Sequence, residues 1–94
     1  MKQLRITPAE AEVIALKALG FLANDPERLG RFLALSGVEL GDIRAAAQSP
    51  DFLAGLLNHL LQDESLLLTF TAEQELDPRL PALAAQALAR DEFF

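Results

Sequence analysis

The single histidine of the chain, His59, is the first residue whose chemistry needs testing. Asp63 follows four positions later, where on a continuous helix its carboxylate would orient the imidazole ring as half of an acid–base pair or a pH-sensitive contact. The sequence holds no second histidine, no cysteine and no tyrosine to complete a catalytic group. We therefore favour a half-packed histidine beside Phe52, at the edge of an apolar helix face.

Paired carboxylates are the second source of chemistry. Asp63-Glu64 and Asp91-Glu92 are neighbours in sequence, and neighbouring side chains of a helix do not face one another. A metal site would need carboxylates from separate helices, and a glycine-rich phosphate loop would need a preceding strand, which the sequence does not predict. The sequence therefore predicts a protein that is not an enzyme, with no cofactor, no metal and no small-molecule ligand.

Two arginines mark a face that fits a protein partner. Arg28 and Arg31 lie three positions apart on the outside of a predicted helix, and Leu35 follows one turn later. Residues 1–44 carry six basic and six acidic side chains, whereas residues 45–94 carry two basic and eight acidic ones. The arginine face thus fits an acidic partner or the acidic half of a second copy. Solvated charges without a partner are the alternative, because exposed ion pairs contribute little.

Phe93 and Phe94 directly follow Asp91-Glu92. We expect the two aromatic rings to pack into a groove of the domain or into a partner, where each would contribute about 1.5–3 kcal/mol by burial. Fraying of the chain end is the alternative. The candidate interaction surface consists of Arg28, Arg31, Leu35, Phe52, His59, Phe93 and Phe94.

Residues 26–48 have the outline of a helix-turn-helix, the motif of many nucleic-acid-binding regulators. Gly37 at the turn and Ile43 six positions later fit that motif. Asp42, however, would lie near the start of the reading helix, and Arg44 would be its one cation. With a net charge of −6 the chain repels phosphate, so no nucleic acid is expected and a glycine-capped helical hairpin is favoured.

The elements that position these residues are helices, whose starts share one signal. A short oxygen-bearing side chain precedes proline, so it can cap the first turn while proline supplies a helical φ. The four starts are Thr7-Pro8, Asp25-Pro26, Ser49-Pro50 and Asp77-Pro78. The first of them is also a capping box, since Glu10 can reach back to the Thr7 N–H.

The periodicity predicts an all-α fold, a compact bundle of five or six short helices around a central first helix. That first helix is apolar on almost every side, which is typical of a central element. Asp63 is predicted to cap a separate helix, because a continuous one would place Glu64 within an apolar stripe; a single kinked helix is the alternative. The predicted helices are 8–23, 26–36, 40–48, 50–62, 64–74 and one from about 81.

The chain is predicted to be one helical domain over residues 1–94, with short tails at 1–6 and 92–94. Lys2 and Arg5 open the chain as in a signal peptide, but Glu10, Glu12 and Lys17 interrupt the apolar stretch that should follow. No apolar run approaches the roughly 20 residues that span a bilayer. We expect a soluble protein of the cytoplasm, with no membrane partner.

Two stretches of the sequence stand out, Asp-Pro-Glu-Arg-Leu-Gly-Arg-Phe-Leu-Ala-Leu-Ser-Gly at 25–37 and Leu-Leu-Gln-Asp-Glu-Ser-Leu-Leu-Leu at 60–68, the latter preceded by Phe52-Leu53. They resemble the hallmark of a family of small proteobacterial proteins known only as a domain of unknown function. The resemblance covers about residues 8–90 and implies a compact all-α domain, without an activity or a ligand. The leading hypothesis is a non-enzymatic protein–protein interaction module, with a second copy as one candidate partner; the alternative is the helix-turn-helix-like regulator.

Overall fold

The structure is a computed structural model that describes residues 4–90, with only the backbone of Arg90. Six α-helices and one 3₁₀ turn make up its regular structure, and residues 4–90 contain no strand. The all-α prediction is confirmed. The helices are α1 (Pro8–Ala23), α2 (Pro26–Ser36), α3 (Ile43–Ala46), α4 (Pro50–Leu61), α5 (Glu64–Glu73) and α6 (Leu80–Arg90), and the 3₁₀ turn Leu40–Asp42 precedes α3.

Side-chain caps fix the starts of the helices, as the sequence predicts. At α1 the Thr7 hydroxyl accepts from the Glu10 N–H at 3.1 Å, and the Glu10 carboxylate accepts from the Thr7 N–H at 2.9 Å. The hydrogen bond that the Thr7 backbone N–H donates to the Glu10 carboxylate, helped by the Thr7 side chain, holds the pKa of Glu10 below its usual value. Asp25 caps α2 by accepting from the Glu27 N–H at 3.0 Å, and Ser49 caps α4 by accepting from the Phe52 N–H at 3.4 Å.

The helices α4 and α5 are separated at Asp63, the residue that the sequence predicts to cap a new helix. The Asp63 carboxylate accepts from the Leu66 N–H at 3.1 Å, and Glu64 is exposed. The two helices are therefore separate. The sequence left open whether the Asp63 carboxylate orients the His59 ring. In the structure that carboxylate instead accepts a hydrogen bond from a backbone N–H of α5.

One helix prediction needs correction. The segment 40–48 forms a 3₁₀ turn followed by one α-turn, and Leu40 is 67% exposed. Neither piece has a side-chain cap, and Gly41 weakens helix formation between them. At the other end, Asp77 closes a turn before α6 by binding the backbone and guanidinium of Arg79, which lowers the pKa of Asp77 to about 2.

The core lies between α1, α4 and α6, and α2 and α5 flank it. The α4–α6 and α1–α6 interfaces are the most extensive in the molecule. The small side chains on α1 and α6 let the two backbones approach closely. Fully or nearly fully buried on these two helices are Ala11, Ala15, Ala18, Ala84, Ala85 and Leu88, and α4 adds Leu53, Leu56, Leu57 and Leu60.

The first helix lies in the core as predicted, but it shares the centre with α4 and α6. Its apolar side chains Val13 and Leu16 remain 52% and 43% exposed. The apolar character of α1 therefore exceeds what the bundle buries. Among residues 4–90 no helix is both long and apolar enough to cross a lipid bilayer.

Candidate interaction surface

Five of the predicted surface residues come together on one face, around the buried ring of Phe32. The centroid of that ring lies 5.6 Å from the Phe52 ring and 5.2 Å from the His59 ring. Arg31 and Leu35 flank Phe32 on α2, so the face joins α2 to α4 and to the start of α5. Phe93 and Phe94 lie outside the described residues, so their predicted packing is not tested.

One half of this face is a groove between α2 and α4, which we name the apolar groove. Its volume is about 520 Å³. Leu35, which is 73% exposed, lies at its edge, and the rings of Phe32 and Phe52 lie along it. Gly55 leaves the α4 side open, because a Cβ placed there would meet no atom within 4 Å apart from its chain neighbours and the nearby backbone of α4. The groove is therefore accessible to an apolar side chain of a partner.

The other half is a smaller hollow between α2, α4 and α5, which we name the cationic cleft. Its volume is about 200 Å³. His59 lines both the cleft and the groove, so the imidazole ring is the wall between them. The lining residues are Arg28, Arg31, His59, Asp63, Ser65, Leu66 and Thr69.

The two arginines of this face have different environments. The Arg28 guanidinium lies over the ring of Phe21, 5.1 Å from its centroid, and its Nε is 3.5 Å from an Asp25 carboxylate oxygen. Arg31 is exposed and forms no ion pair or hydrogen bond with any residue of 4–90. Arg28 therefore differs from Arg31 in that its guanidinium covers an aromatic ring of α1, although 38% of its side chain is exposed.

His59 is half-buried against Phe32, in agreement with the predicted boundary position. Burial lowers the pKa of its imidazole, the Asp63 carboxylate raises it, and the Arg31 guanidinium lowers it further. The net pKa lies below the ordinary value of 6.5, so the ring is mainly neutral at pH 7. A neutral ring offers a donor, an acceptor and an apolar face to a partner.

A comparison with models of protein families finds a match over nearly the whole chain. A family model described as "Protein of unknown function (DUF3572)" matches residues 8–91. The chain belongs to this family. The match covers the whole helical bundle, so it confirms the resemblance read from the two quoted stretches. No curated protein and no solved structure matches the chain.

Within 4–90 no three His, Asp or Glu side chains converge as they would around a metal ion. Sequence reasoning missed Ser65 and Thr69, which face the cleft. Their spacing of four places them on one side of α5, but the sequence does not say which helix that side meets.

Proposed function

We propose that this protein is a small, non-enzymatic protein–protein interaction module whose docking face consists of the apolar groove and the cationic cleft. The observation that carries the proposal is the exposure of Leu35 beside two aromatic rings and an arginine without an ion-pair partner in residues 4–90. Phe32 is buried and Phe52 is half-buried, so the groove offers an exposed leucine at its edge and ring surface along its wall, an arrangement that an apolar side chain of a partner would cover.

The composition of the face also supports a binding role. Interfaces are enriched in aromatic side chains and arginine, and their strongest contacts are anchors that enter pockets and are ringed by polar groups. Here the apolar groove offers a place for an anchor between Leu35 and Phe52. Ser36, Asn58 and Gln62 provide the polar rim.

Affinity capture with paired variants tests this function. Wild-type protein, Leu35→Glu and Leu40→Glu would each serve as bait in a lysate of the native host. Leu35 and Leu40 are 73% and 67% exposed, but Leu40 lies away from the docking face, beside α1. We expect wild type and Leu40→Glu to retain the same proteins and Leu35→Glu to lose them. Identical captures by all three baits, or none by wild type, would contradict the proposal.

The geometry favours this function over nucleic-acid binding. In the helix-turn-helix alternative the reading helix is α3, which spans only Ile43–Ala46. One turn of helix is too short to place several side chains along a major groove. Duplex DNA at low salt tests the alternative, which predicts binding that falls when Arg28 and Arg44 are replaced. A location in the cytoplasm remains part of the proposal and rests on the sequence alone.

A further inference from the structure

Two exposed pairs of side chains on different helices have the same spacing and opposite charge. Arg31 and Leu35 lie four positions apart on α2, and Glu64 and Leu68 lie four positions apart on α5. Leu35 and Leu68 are 73% and 46% exposed. Side chains four apart follow one another along one face of a helix. If α2 meets an α5 helix running in the same direction, arginine faces glutamate and leucine faces leucine.

Arg31 is the cation of the docking face that is free to meet a carboxylate. Arg28 lies next to it, but its guanidinium already contacts Asp25 and the Phe21 ring. Arg31 has no ion-pair or hydrogen-bond partner within residues 4–90. Arg31 is therefore the cation of the docking face that a carboxylate of a partner can pair with, while Asp51 and Asp63 are the acidic groups of the same face.

Glu64 is the matching acid. It is exposed, and α5 carries two glutamates and no lysine or arginine, so an approaching cation meets no repulsion from that helix. Glu12 and Leu16 on α1 repeat the same spacing, and Leu16 is 43% exposed. Lys17 follows that pair directly, so the α1 face is less favourable to Arg31 than the α5 face is.

We propose that the protein self-associates, α2 of one copy docking on α5 of a second so that Arg31 pairs with Glu64 and Leu35 packs on Leu68. Each copy carries both halves of the contact, and the proposed dimer has a two-fold axis that makes the contact twice and so closes the assembly. This inference rests on the proposed function and names its partner. A different protein could use the same face if the dimer does not form, so the two proposals can fail separately.

Charge reversal tests the pairing directly. Arg31→Glu and Glu64→Arg each place like charges together at both symmetry-related contacts. Each variant alone should therefore raise the dimer dissociation constant at least about tenfold, with the mass measured by light scattering. An equimolar mixture of the two variants restores an opposite-charge pair at both contacts. We expect the mixture to recover the dimer, which also shows that both variants are folded.

The control is Glu12→Arg, which makes the same change on the similar pair of α1 and should leave the dimer intact. Raised salt should weaken the wild-type dimer, because an exposed ion pair is screened. A wild-type monomer at high micromolar concentration would overturn the inference. So would two single variants that stay dimeric, a mixture that stays monomeric, or an equal loss in Glu12→Arg.

Discussion

The inner helices α1, α4 and α6 and the flanking helix α2 are stabilised in different ways. The inner three share almost all of the completely buried leucine and alanine side chains. In α2 only Phe32 is buried, and the helix is fixed at its two ends by Asp25 and Gly37. A helix anchored by one ring and two caps can present most of its surface to a partner without loss of the fold. Stability and binding are thus assigned to different helices.

The largest expected difference between the two regions is in the unfolding free energy lost when one leucine of each is shortened to alanine. Leu57 is completely buried on α4, so Leu57→Ala should lower the free energy of unfolding by about 2–5 kcal/mol through lost transfer energy and a cavity. Leu35→Ala on α2 should change it by no more than about 0.5 kcal/mol, because the side chain is 73% exposed. Urea denaturation of both variants measures the difference. Similar losses at the two sites would contradict the division.

The next largest effect on the unfolding free energy comes from two residues with positive φ at helix ends, where substitutions should have opposite effects. Gly37 ends α2 with φ 77°, and Glu75 follows α5 with φ 54°, where the Leu76 N–H donates to the Thr71 carbonyl at 2.9 Å. A side chain in this left-handed region costs roughly 1 kcal/mol.

Gly37→Ala should therefore destabilise the protein by roughly 1 kcal/mol, and Glu75→Gly should stabilise it by a similar amount. Thermal and urea unfolding of the two variants provide the measurement. A neutral Gly37→Ala would show that the α2 end is not held by its left-handed cap.

The two arginines of α2, Arg28 and Arg31, should contribute differently to the stability of the fold. Arg28→Ala removes a contact with the Phe21 ring and a partner of Asp25, so we expect a loss of about 0.5–1 kcal/mol in unfolding free energy. Arg31→Ala should change the unfolding free energy by no more than about 0.5 kcal/mol, and we expect it to weaken association. Denaturant melts of the two variants side by side decide this. Equal stability losses would remove the distinction between a packed and a docking arginine.

His59 provides the smallest effect, through pH. Its pKa is lower in the folded protein than the ordinary 6.5, so the unfolded chain takes up the proton more readily. As pH falls below about 6.5, His59 therefore lowers the stability, and above that pH the penalty is absent. The charged side chains that line the cleft and the groove together with it are Asp63, Arg28, Arg31 and Asp51, and its ring packs against the Phe32 ring.

His59→Gln should remove this part of the acid-side loss, as seen in unfolding free energies measured from pH 7.5 to pH 5. Arg31→Ala should raise the pKa of His59, because the guanidinium lowers it in the wild type. Proton NMR titration of the single imidazole measures that pKa. An unchanged or lower value would contradict the placement of Arg31 beside the ring.

Most of the fold could be predicted from local chemistry, because helix starts and stops are local events. A proline after a capping residue predicted the starts of α1, α2 and α4. The start of α5 was predicted because a continuous helix would have placed the Glu64 carboxylate within an apolar stripe. The segment 40–48 failed because its helix signals are weak, and only the surrounding structure decides how many turns form. The last helix begins at Leu80, close to the predicted residue 81, after a turn that Asp77 closes with Arg79.

The residues of the docking face could be predicted from the sequence, but their arrangement in space could not. The sequence indicated Arg28, Arg31, Leu35, Phe52 and His59, and the structure brings all five together. Helical spacing cannot show which of two neighbouring arginines meets a ring on another helix. That distinction, and the contribution of α5 to the cleft, depend on how the helices pack, which is a property of the whole bundle.

The most direct test of the account is the solution mass of wild type, Leu35→Glu and Leu40→Glu at the same high micromolar concentration. The two leucines have similar exposure, and only Leu35 lies on the docking face. The account predicts a dimer for wild type and Leu40→Glu and a monomer for Leu35→Glu. Three monomers, or a dimer that Leu40→Glu disrupts as much as Leu35→Glu does, would contradict it.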